Sequence, residues 1–286
     1  MKPAPFSYFR VATLGETFDR LEEFGQDARI LAGGQSLVPA LAMRLSAPEA
    51  LVDINPIGEL RGISVTDRHI RIGALTRHAE VERSAEVARH LPLIAEAIKF
   101  VAHPAIRNRG TFGGSIALAD PAAELPACAC ALGARFEIAS RTGRRVVAAD
   151  EFFHGMFETS IEDGDVLVAA EFPRANGNSR SAFAELARRH GDYAIVGLAA
   201  QASVERGALI DPQLVFFGIG DRPVAARTAA AGLNGGGVSD ASIKAAQDAL
   251  AADLDPPNDL VGSPEFKLHL ARVLMGRVLR QLVADQ

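Results

Sequence analysis

The hydrophobic positions near the start of the chain have helical spacing. From Thr13 the sequence reads TLGETFDRLEEFG, and one face of this stretch carries Leu14, Phe18 and Leu21. Thr13 and Glu16 match the capping-box pattern, in which the first side chain accepts a backbone N–H of the helix. The pattern therefore predicts a capped helix that ends at the glycine after Phe24.

The next stretch predicts a strand, a glycine turn and a helix. ARILAGG is a short apolar run that ends in two glycines, and SLVPALAMRL then has helical spacing at Leu37, Leu41 and Leu45. LVDI at residues 51–54 predicts a second strand, and Asn55–Pro56 marks a turn. We therefore expect a first subdomain over residues 1–56.

Residues 57–177 predict a second subdomain of mixed helices and strands. HIRIGAL alternates like a strand, and LPLIAEAIKFVA predicts a helix with Leu93, Ala97 and Val101 on one face, ended by Pro104. DPAAELPACACALG has helical spacing, while RFEIAS and RRVVAA predict paired strands across the turn at Thr142–Gly143. The polar residues 176–179 then break the pattern.

Residues 178–286 predict an antiparallel sheet covered by helices. SAFAELARR, GDYAIVGLAAQASV and LIDPQLVFFGIG are strand-like and lack the strand–helix alternation of parallel sheets. A last helix begins with Ser263 as N-cap and Pro264 at its first position. The helix face expected to cover the sheet is Phe266, Leu270, Val273, Leu274 and Val278. The predicted fold class is α+β.

Composition and charge exclude several kinds of protein. The net charge is −5 and the positive residues are scattered, so nucleic acid is not an expected partner. No apolar run reaches the roughly 20 residues that span a bilayer, and the N-terminus lacks the apolar region of a secretory signal. The expected location is the cytoplasm, with a peripheral position at the inner face of the membrane, through a complex, as the alternative.

The cysteines and histidines indicate no metal centre. Cys128 and Cys130 are too few for an iron–sulfur cluster, which needs about four thiolates, and they lie in an apolar helical stretch. We interpret them as buried structural residues. The seven histidines form none of the patterns typical of a catalytic zinc site.

Two glycine-paired segments carry the candidate chemistry. LAGGQSL spans residues 31–37 and GTFGGSIALADPAAE spans residues 110–124. Adjacent glycines beside small hydroxyl residues let backbone N–H groups surround an anion, and two such cradles indicate a diphosphate. Neither segment has the lysine of a P-loop or the G-x-G-x-x-G spacing of a Rossmann site.

Three segments in order resemble one known family. LAGGQSLVPALAMRL, IRNRGTFGGSIALADPAAELP and ARRHGDYAIVGLAA resemble the FAD-binding medium subunit of molybdenum hydroxylases, especially that of carbon monoxide dehydrogenase. The resemblance covers essentially the whole chain. It implies a p-cresol methylhydroxylase-type FAD-binding module of two α+β subdomains, followed by a C-terminal domain specific to this group of flavoproteins.

The resemblance also implies which residues bind FAD. The pyrophosphate would lie against the two glycine segments, at Leu31, Ala32, Gly33, Gly34, Gln35, Ser36, Leu37, Gly110, Thr111, Gly113, Gly114 and Ser115. Asp120 and Glu124 would bind ribityl and ribose hydroxyls, or else only begin the following helix. Val101 and Ala102 would lie near the adenine, with ordinary core residues as the alternative.

The isoalloxazine end of the cofactor is assigned in the same way. Leu167 and Tyr193 would lie near the ring. The alternatives are that Leu167 is an ordinary core residue and that Tyr193 is a packed strand residue. His103 would cap a loop, with contact to the cofactor as the alternative. Arg107 and Arg109 either lend positive potential to the phosphates or face solvent or another subunit.

Two positions depart from the pattern of the family. Gln35 stands where the carbon monoxide dehydrogenase type commonly has histidine, and Ala184 stands where xanthine-oxidising relatives carry a lysine near the flavin. Without that positive charge, a reduced anionic flavin loses one stabilising partner.

The resemblance implies an electron-transfer function in a larger complex. A large subunit with a molybdopterin cofactor would oxidise the substrate, a small subunit with two [2Fe–2S] clusters would relay electrons, and FAD in this chain would pass them to an external acceptor. A dimer of such heterotrimers is the expected assembly. The alternatives are a self-contained flavin-dependent oxidase and a scaffold that binds nucleotide without redox function.

Overall fold

The computed structural model describes residues 2–284 and has the predicted α+β fold. Its first segment is a three-stranded parallel sheet with two helices, in the strand order β1–β3–β2. The elements of this segment are β1 (Ser7–Arg10), α1 (Leu14–Phe24), β2 (Ala28–Leu31), α2 (Leu37–Ala42) and β3 (Ala50–Asp53). The strand β1 was not predicted, because SYFR is short and has no alternating pattern.

Helix α1 confirms the prediction of a capped helix after Thr13. Thr13 accepts a hydrogen bond from the N–H of Glu16, and Leu14, Phe18 and Leu21 are buried. The Glu16 carboxylate accepts the N–H of Ala12, so both halves of the cap are occupied.

Helix α2 is shorter than predicted. Leu41 is buried, but Leu45 lies beyond the end of the helix and is 76% exposed. Arg44 has a left-handed φ of 58°, and the N–H of Leu45 reaches back to the carbonyl of Ala40 at 2.9 Å. This closure ends the helix and turns the chain toward β3.

The second segment is built on a five-stranded antiparallel sheet, ordered β4–β5–β10–β6–β7. Its first elements are β4 (Ile63–Val65), β5 (His69–Gly73), α3 (His78–Arg83), α4 (Ala85–His90), α5 (Pro92–Ala97), α6 (Pro104–Arg107), α7 (Phe112–Leu118) and α8 (Glu124–Ala131). The remaining elements are β6 (Arg135–Ser140), β7 (Gly143–Ala148), α9 (Ala149–Phe152), β8 (Phe153–Gly155), β9 (Glu158–Thr159) and β10 (Val166–Pro173). Strands β6 and β7 form the predicted hairpin.

The prediction of a helix that runs up to Pro104 was wrong about its length. Helix α5 ends at Ala97, and Pro104 begins α6 instead of ending a longer helix. Proline suits a first helical position because its missing N–H would have no partner there. Between the two helices Ala102 has a φ of 45°, which no regular helix contains.

The third segment is the predicted antiparallel sheet with covering helices. Its strands are ordered β11–β12–β13–β14. The elements are β11 (Ser179–Ala187), β12 (Ala194–Glu205), β13 (Ala208–Phe217), β14 (Val224–Ala225), α10 (Arg227–Leu233), α11 (Asp240–Asp253) and α12 (Pro264–Val283). Helix α12 has Ser263 as its N-cap and Pro264 in its first turn, as predicted. Within the predicted face, however, Phe266 is 46% exposed, whereas Leu274 and Val278 are buried.

The face of the third sheet that its own helices leave uncovered packs on the second segment. Phe183 and Phe217 belong to the same buried core as helices α5 and α8. The ring of Phe183 lies 5.2 Å from that of Phe100 and 5.7 Å from that of Phe217, measured between centroids. The three larger sheets come from residues 7–53, 63–173 and 179–225, and β8 and β9 form a separate two-stranded sheet. The boundaries after residues 56 and 177 stay predictions.

Candidate functional site

All three segments line one cavity of about 830 Å³. This volume lies within the range of about 300–1,000 Å³ that is usual for small-molecule and cofactor sites. The structure places all but one of the predicted cofactor residues on its wall: Ala32, Gly33, Gly34, Gln35, Ser36, Leu37, Val101, Ala102, Gly110, Thr111, Gly113, Gly114, Ser115, Asp120, Glu124, Leu167 and Tyr193. The exception is Leu31, the last residue of β2, which does not line the cavity.

The first glycine loop, residues 32–36, offers a series of free donors. It follows β2 and leads directly into α2. Within the part of the chain that the structure describes, the N–H groups of residues 33–37 donate to no protein acceptor. The Ser36 hydroxyl makes no capping hydrogen bond. Five successive donors beside a cavity form the anion cradle that the sequence predicts.

The second glycine loop, residues 110–115, uses most of its N–H groups inside the protein. Thr111 caps α7 by accepting the N–H of Gly114 at 3.1 Å. The N–H groups of Phe112 and Gly113 donate to the carbonyls of Thr76 and Ala74, both at 2.8 Å. A Cβ at Gly113 would lie 2.4 Å from the Cβ of Ala74. Gly113 is therefore needed for close packing of α7 on the end of β5.

The two glycine loops contact each other through bare backbone. A Cβ at Gly33 would lie 2.6 Å from the carbonyl oxygen of Arg109 and 2.8 Å from the Cα of Gly110. Real Cβ atoms do not approach that closely, so only glycine fits at position 33. The free N–H groups of the first loop thereby come next to the backbone of the second loop. The expectation that both segments present free N–H groups is wrong for the second loop, because most of its N–H groups already have protein acceptors.

His78 is a site residue that no sequence pattern indicates. It is 5% exposed, lines the cavity, and its Nε2 lies 2.8 Å from the carbonyl oxygen of Thr111. Burial lowers the pKa of His78 to about 4, although the hydrogen bond to Thr111 opposes this shift. The ring is neutral at pH 7, so Nε2 donates to Thr111 and Nδ1 is left as a buried acceptor without a partner.

Arg107 is buried and does not face the phosphate cradle. It forms a two-pronged ion pair with Glu82, at 2.9 and 3.1 Å. Its Nη1 also donates to the carbonyls of Val101 and Ala102, each at 3.1 Å. These bonds hold Ala102 in its left-handed conformation at the cavity wall. The interpretation of Arg107 as facing solvent or another subunit was wrong, because its side chain is buried and paired with Glu82 on α3. The interpretation that its charge favours the phosphates stays a prediction.

Acidic side chains also line the cavity. Glu124, the first residue of α8, is 9% exposed, and burial raises its pKa to about 7 with a contribution from the charge of Asp120. Asp120 accepts the N–H of Ala122 at 2.9 Å, and burial raises its pKa. Behind the wall, burial and the charge of Glu124 raise the pKa of Glu185 to about 8. A protonated carboxyl can both donate to and accept from a sugar hydroxyl.

The predicted flavin-ring residues differ in exposure. Leu167 is buried on β10, beside an irregularity in its pairing with β6. Tyr193 is 71% exposed and precedes β12, so its interpretation as a packed strand residue was wrong. Tyr193 instead lines the cavity.

The remaining candidate residues, which are His103, Gln35 and the two cysteines, contact other groups of the protein. His103 makes no capping hydrogen bond, and a Cβ at Gly191 would lie 2.7 Å from its ring. Gln35 donates to the carbonyl of Gly33 at 3.1 Å. Cys128 is buried and Cys130 is partly buried. Burial raises the pKa of Cys130 to about 12, so its thiol stays protonated at neutral pH.

Two family models together match nearly the whole chain. The FAD binding domain in molybdopterin dehydrogenase matches residues 4–175, and the CO dehydrogenase flavoprotein C-terminal domain matches residues 181–282. The free N–H donors of the first loop fit the diphosphate of FAD, because backbone donors bind phosphate without a lysine or arginine.

Individual relatives match over nearly their full length. The chain is 39% identical over 280 residues to the 6-hydroxypseudooxynicotine dehydrogenase complex subunit alpha of Paenarthrobacter nicotinovorans, which covers 98% of this chain and 95% of that relative. It is 35% identical over 279 residues to the carbon monoxide dehydrogenase medium chain of Hydrogenophaga pseudoflava, covering 98% and 97%.

A solved structure has the same fold. This is the carbon monoxide dehydrogenase of Hydrogenophaga pseudoflava that lacks the Mo-pyranopterin moiety of its molybdenum cofactor. One of its chains superposes with a TM-score of 0.96 at 36% identity, covering 99% of this chain and 98% of that one. Between residues 2 and 284, no helix combines the length and the apolar character needed to cross a membrane.

The fold, the paired glycine loops and the family matches all agree with the resemblance drawn from the sequence. Both matched domains occur in the expected order, and the relatives are subunits of multi-subunit dehydrogenases. This chain belongs to the family of FAD-binding medium subunits of molybdenum hydroxylases, and it is the flavoprotein subunit of an oxidoreductase complex.

Proposed function

We propose that this chain is the electron-transfer subunit of a molybdenum hydroxylase complex. It takes electrons from the [2Fe–2S] clusters of a small subunit and passes them to an external acceptor, while a large molybdopterin-binding subunit oxidises the substrate. FAD, when bound, supplies the isoalloxazine ring that carries the electrons. The role of this chain is to hold and orient that ring.

The main support is the cradle formed by the two glycine loops. Five free N–H groups at residues 33–37 lie beside the backbone of Gly110, where they would bind the pyrophosphate. Charge-assisted hydrogen bonds contribute about 1.5–3 kcal/mol each, so several of them offset the desolvation of a diphosphate. Thr111, Gly114 and Ser115 would complete this end of the site.

The rest of the cavity has the matching chemistry. Asp120 and Glu124 would bind the ribityl and ribose hydroxyls, because a carboxylate accepts the O–H of a sugar hydroxyl but is repelled by the negative charge of a phosphate. Val101 and Ala102 would lie against the adenine. Leu167 would support the isoalloxazine ring, and the exposed Tyr193 would cover part of one face.

Electron transfer between purified subunits tests this proposal. The chain is reconstituted with FAD and mixed, without oxygen, with a small iron–sulfur subunit that has been reduced and freed of reductant. We expect the visible flavin absorbance to bleach and then to return when a dye acceptor is added. The same mixture with the chain left without FAD is the control for direct reduction of the dye.

Other outcomes would contradict the proposal in different ways. Turnover of a small organic donor by the isolated chain would indicate a self-contained oxidase. Bound FAD that neither bleaches nor reoxidises would indicate a scaffold. A chain that binds no FAD would contradict all three functions.

A further inference from the structure

Arg77 lies across the contact between the two glycine loops. It immediately precedes α3, and its guanidinium donates through Nη2 to the Oδ1 of Asn55 at 2.6 Å and through Nη1 to the carbonyl of Arg109. Asn55 in turn donates through Nδ2 to the carbonyl of Ala32 at 2.7 Å. A continuous bridge therefore runs from the first loop to the second, beside the contact of Gly33 with Gly110.

Asn55 can take only one orientation in this bridge. Its N–H and its Nδ2 both donate to the Oδ1 of Asp53, at 2.9 and 2.6 Å. The other carboxylate oxygen of Asp53 accepts the hydroxyl of Tyr8. Burial opposes ionisation of Asp53, but the hydrogen bonds from Tyr8 and Asn55 outweigh it and lower its pKa. The amide oxygen of Asn55 is thereby left to face Arg77.

The bridge needs the shape of arginine as well as its charge. A guanidinium is a rigid planar fork that can reach two acceptors on different segments, whereas the single ammonium of lysine has no fixed second donor direction. Burial, together with the charges of Arg61 and Arg109, lowers the pKa of Arg77. Holding a partly buried arginine beside two others is unfavourable, so the contacts it makes offset a real cost.

We propose that Asn55 and Arg77 are positioning residues that hold the two glycine loops together, so that the phosphate donors converge before FAD binds. Neither side chain lines the cavity. They act through Ala32 and Arg109, whose backbones flank Gly33 and Gly110. This inference rests on the proposed function, since it assigns a diphosphate to the same cradle.

The dissociation constant of FAD, measured by fluorescence titration of the apo-protein, tests the bridge against simple charge attraction. Arg77→Lys keeps the charge and loses the fork, and Asn55→Ala breaks the bridge without changing charge. We expect both to weaken FAD binding about tenfold or more, which corresponds to about 1.4 kcal/mol. Arg61→Ala is the matched control, because it removes a neighbouring charge and only a single bond to the carbonyl of Asn55. We expect it to bind FAD within about twofold of the wild type.

Two further readouts separate positioning from loss of stability. The double variant Asn55→Ala with Arg77→Lys should bind FAD no more weakly than the weaker single variant, because both break the same bridge. Hydrogen exchange of the amides of Val38 and Phe112, which donate to the carbonyls of Gly34 and Thr76, should become faster in the apo-protein of each single variant, with the unfolding midpoint changed little.

The possible results give distinct conclusions. Wild-type affinity in Arg77→Lys together with weak binding in Arg61→Ala would show that charge alone matters and would overturn the bridge. Additive losses in the double variant would overturn it as well. Failure of the wild-type chain to bind FAD would instead contradict the proposed function.

Discussion

At the scale of single residues, glycine serves three different purposes in the two loops. Gly34 has a φ of +70°, which few other residues adopt. Gly33 admits the backbone of the second loop, and Gly113 admits Ala74 beneath α7. Only the contact at Gly33 brings the two halves of the cradle together, so its replacement should affect binding most directly.

The first prediction concerns Gly33→Ala. We expect FAD affinity to fall at least about tenfold, because the new methyl group would push the carbonyl of Arg109 away and separate the loops. Gly58→Ala is the control, since a Cβ there meets nothing within 4 Å. Fluorescence titration with FAD measures both variants. Unchanged affinity in Gly33→Ala would show that the loops do not act together.

The second prediction concerns the buried His78. Its pKa is about 4 in the folded protein and about 6.5 when unfolded, so the unfolded chain binds more protons between these values. Above pH 6.5, protonation of His78 therefore does not reduce the free energy of unfolding. Below that pH the free energy of unfolding falls, and at pH 4 it is lower by about 3 kcal/mol. His78→Gln keeps a donor for Thr111 and cannot be protonated.

Chemical unfolding of the apo-protein from pH 7 to pH 4 measures this contribution. We expect the His78→Gln variant to lose distinctly less stability across that range than the wild type. Equal losses in the two proteins would mean that other groups cause the sensitivity to acid.

At the scale of elements, the sequence predicted the helices and strands whose ends are determined by residues close by in the chain. Helix α1 carries its own cap at Thr13, and the β6–β7 hairpin carries its own turn. The break between α5 and α6 was not predictable, because Ala102 is held by Arg107, which is itself paired with Glu82. That conformation depends on a contact between elements and leaves no pattern in the local sequence.

The same distinction applies to the site. The glycine loops were predictable because glycine and hydroxyl residues follow one another in the chain. Asn55, Arg77 and His78 were not, since each acts on a glycine loop from another part of the fold. Arg77 and His78 are adjacent in sequence, yet nothing in TRHAEVERS indicates that they face the second loop.

The third prediction concerns the cap of α7. Thr111→Val removes the acceptor for the N–H of Gly114, and losses of this kind typically cost about 1 kcal/mol. Because this cap lies in the cavity wall, we expect both the stability of the apo-protein and the affinity for FAD to fall. Thr13→Val removes the same kind of cap from α1 and should lower stability alone.

Denaturant unfolding and FAD titration of the two threonine variants test this difference. If Thr13→Val weakens FAD binding as much as Thr111→Val does, the effect comes from overall stability and not from the second loop.

At the scale of the whole molecule, the third segment is fixed to the FAD-binding segments by a shared core. Phe183, Val215 and Phe217 on the third sheet are buried with Leu93 and Leu125 from helices α5 and α8. The register places Gly197 opposite Phe217, where a Cβ would lie 2.0 Å from the ring. The two matched domains thus pack against each other through a shared core.

The fourth prediction follows from that core. A protease site inserted in the exposed loop at residues 176–178 should allow the chain to be cut while the two fragments remain together. We expect them to co-elute in gel filtration, to retain FAD and to unfold in one transition, as the uncut chain does. Separation of the fragments under native conditions would show that the shared core contributes little.

The contact of Gly33 with Arg109 and Gly110 also bears on how the subunit is made. The two halves are far apart in the chain, and α7 is positioned by Ala74, whose N–H donates to the carbonyl of Val168 on β10. A ribosome must therefore have released residues through β10 before the cradle exists. FAD can therefore bind the complete cradle only after β10 has been made, and not while either glycine loop is being synthesised.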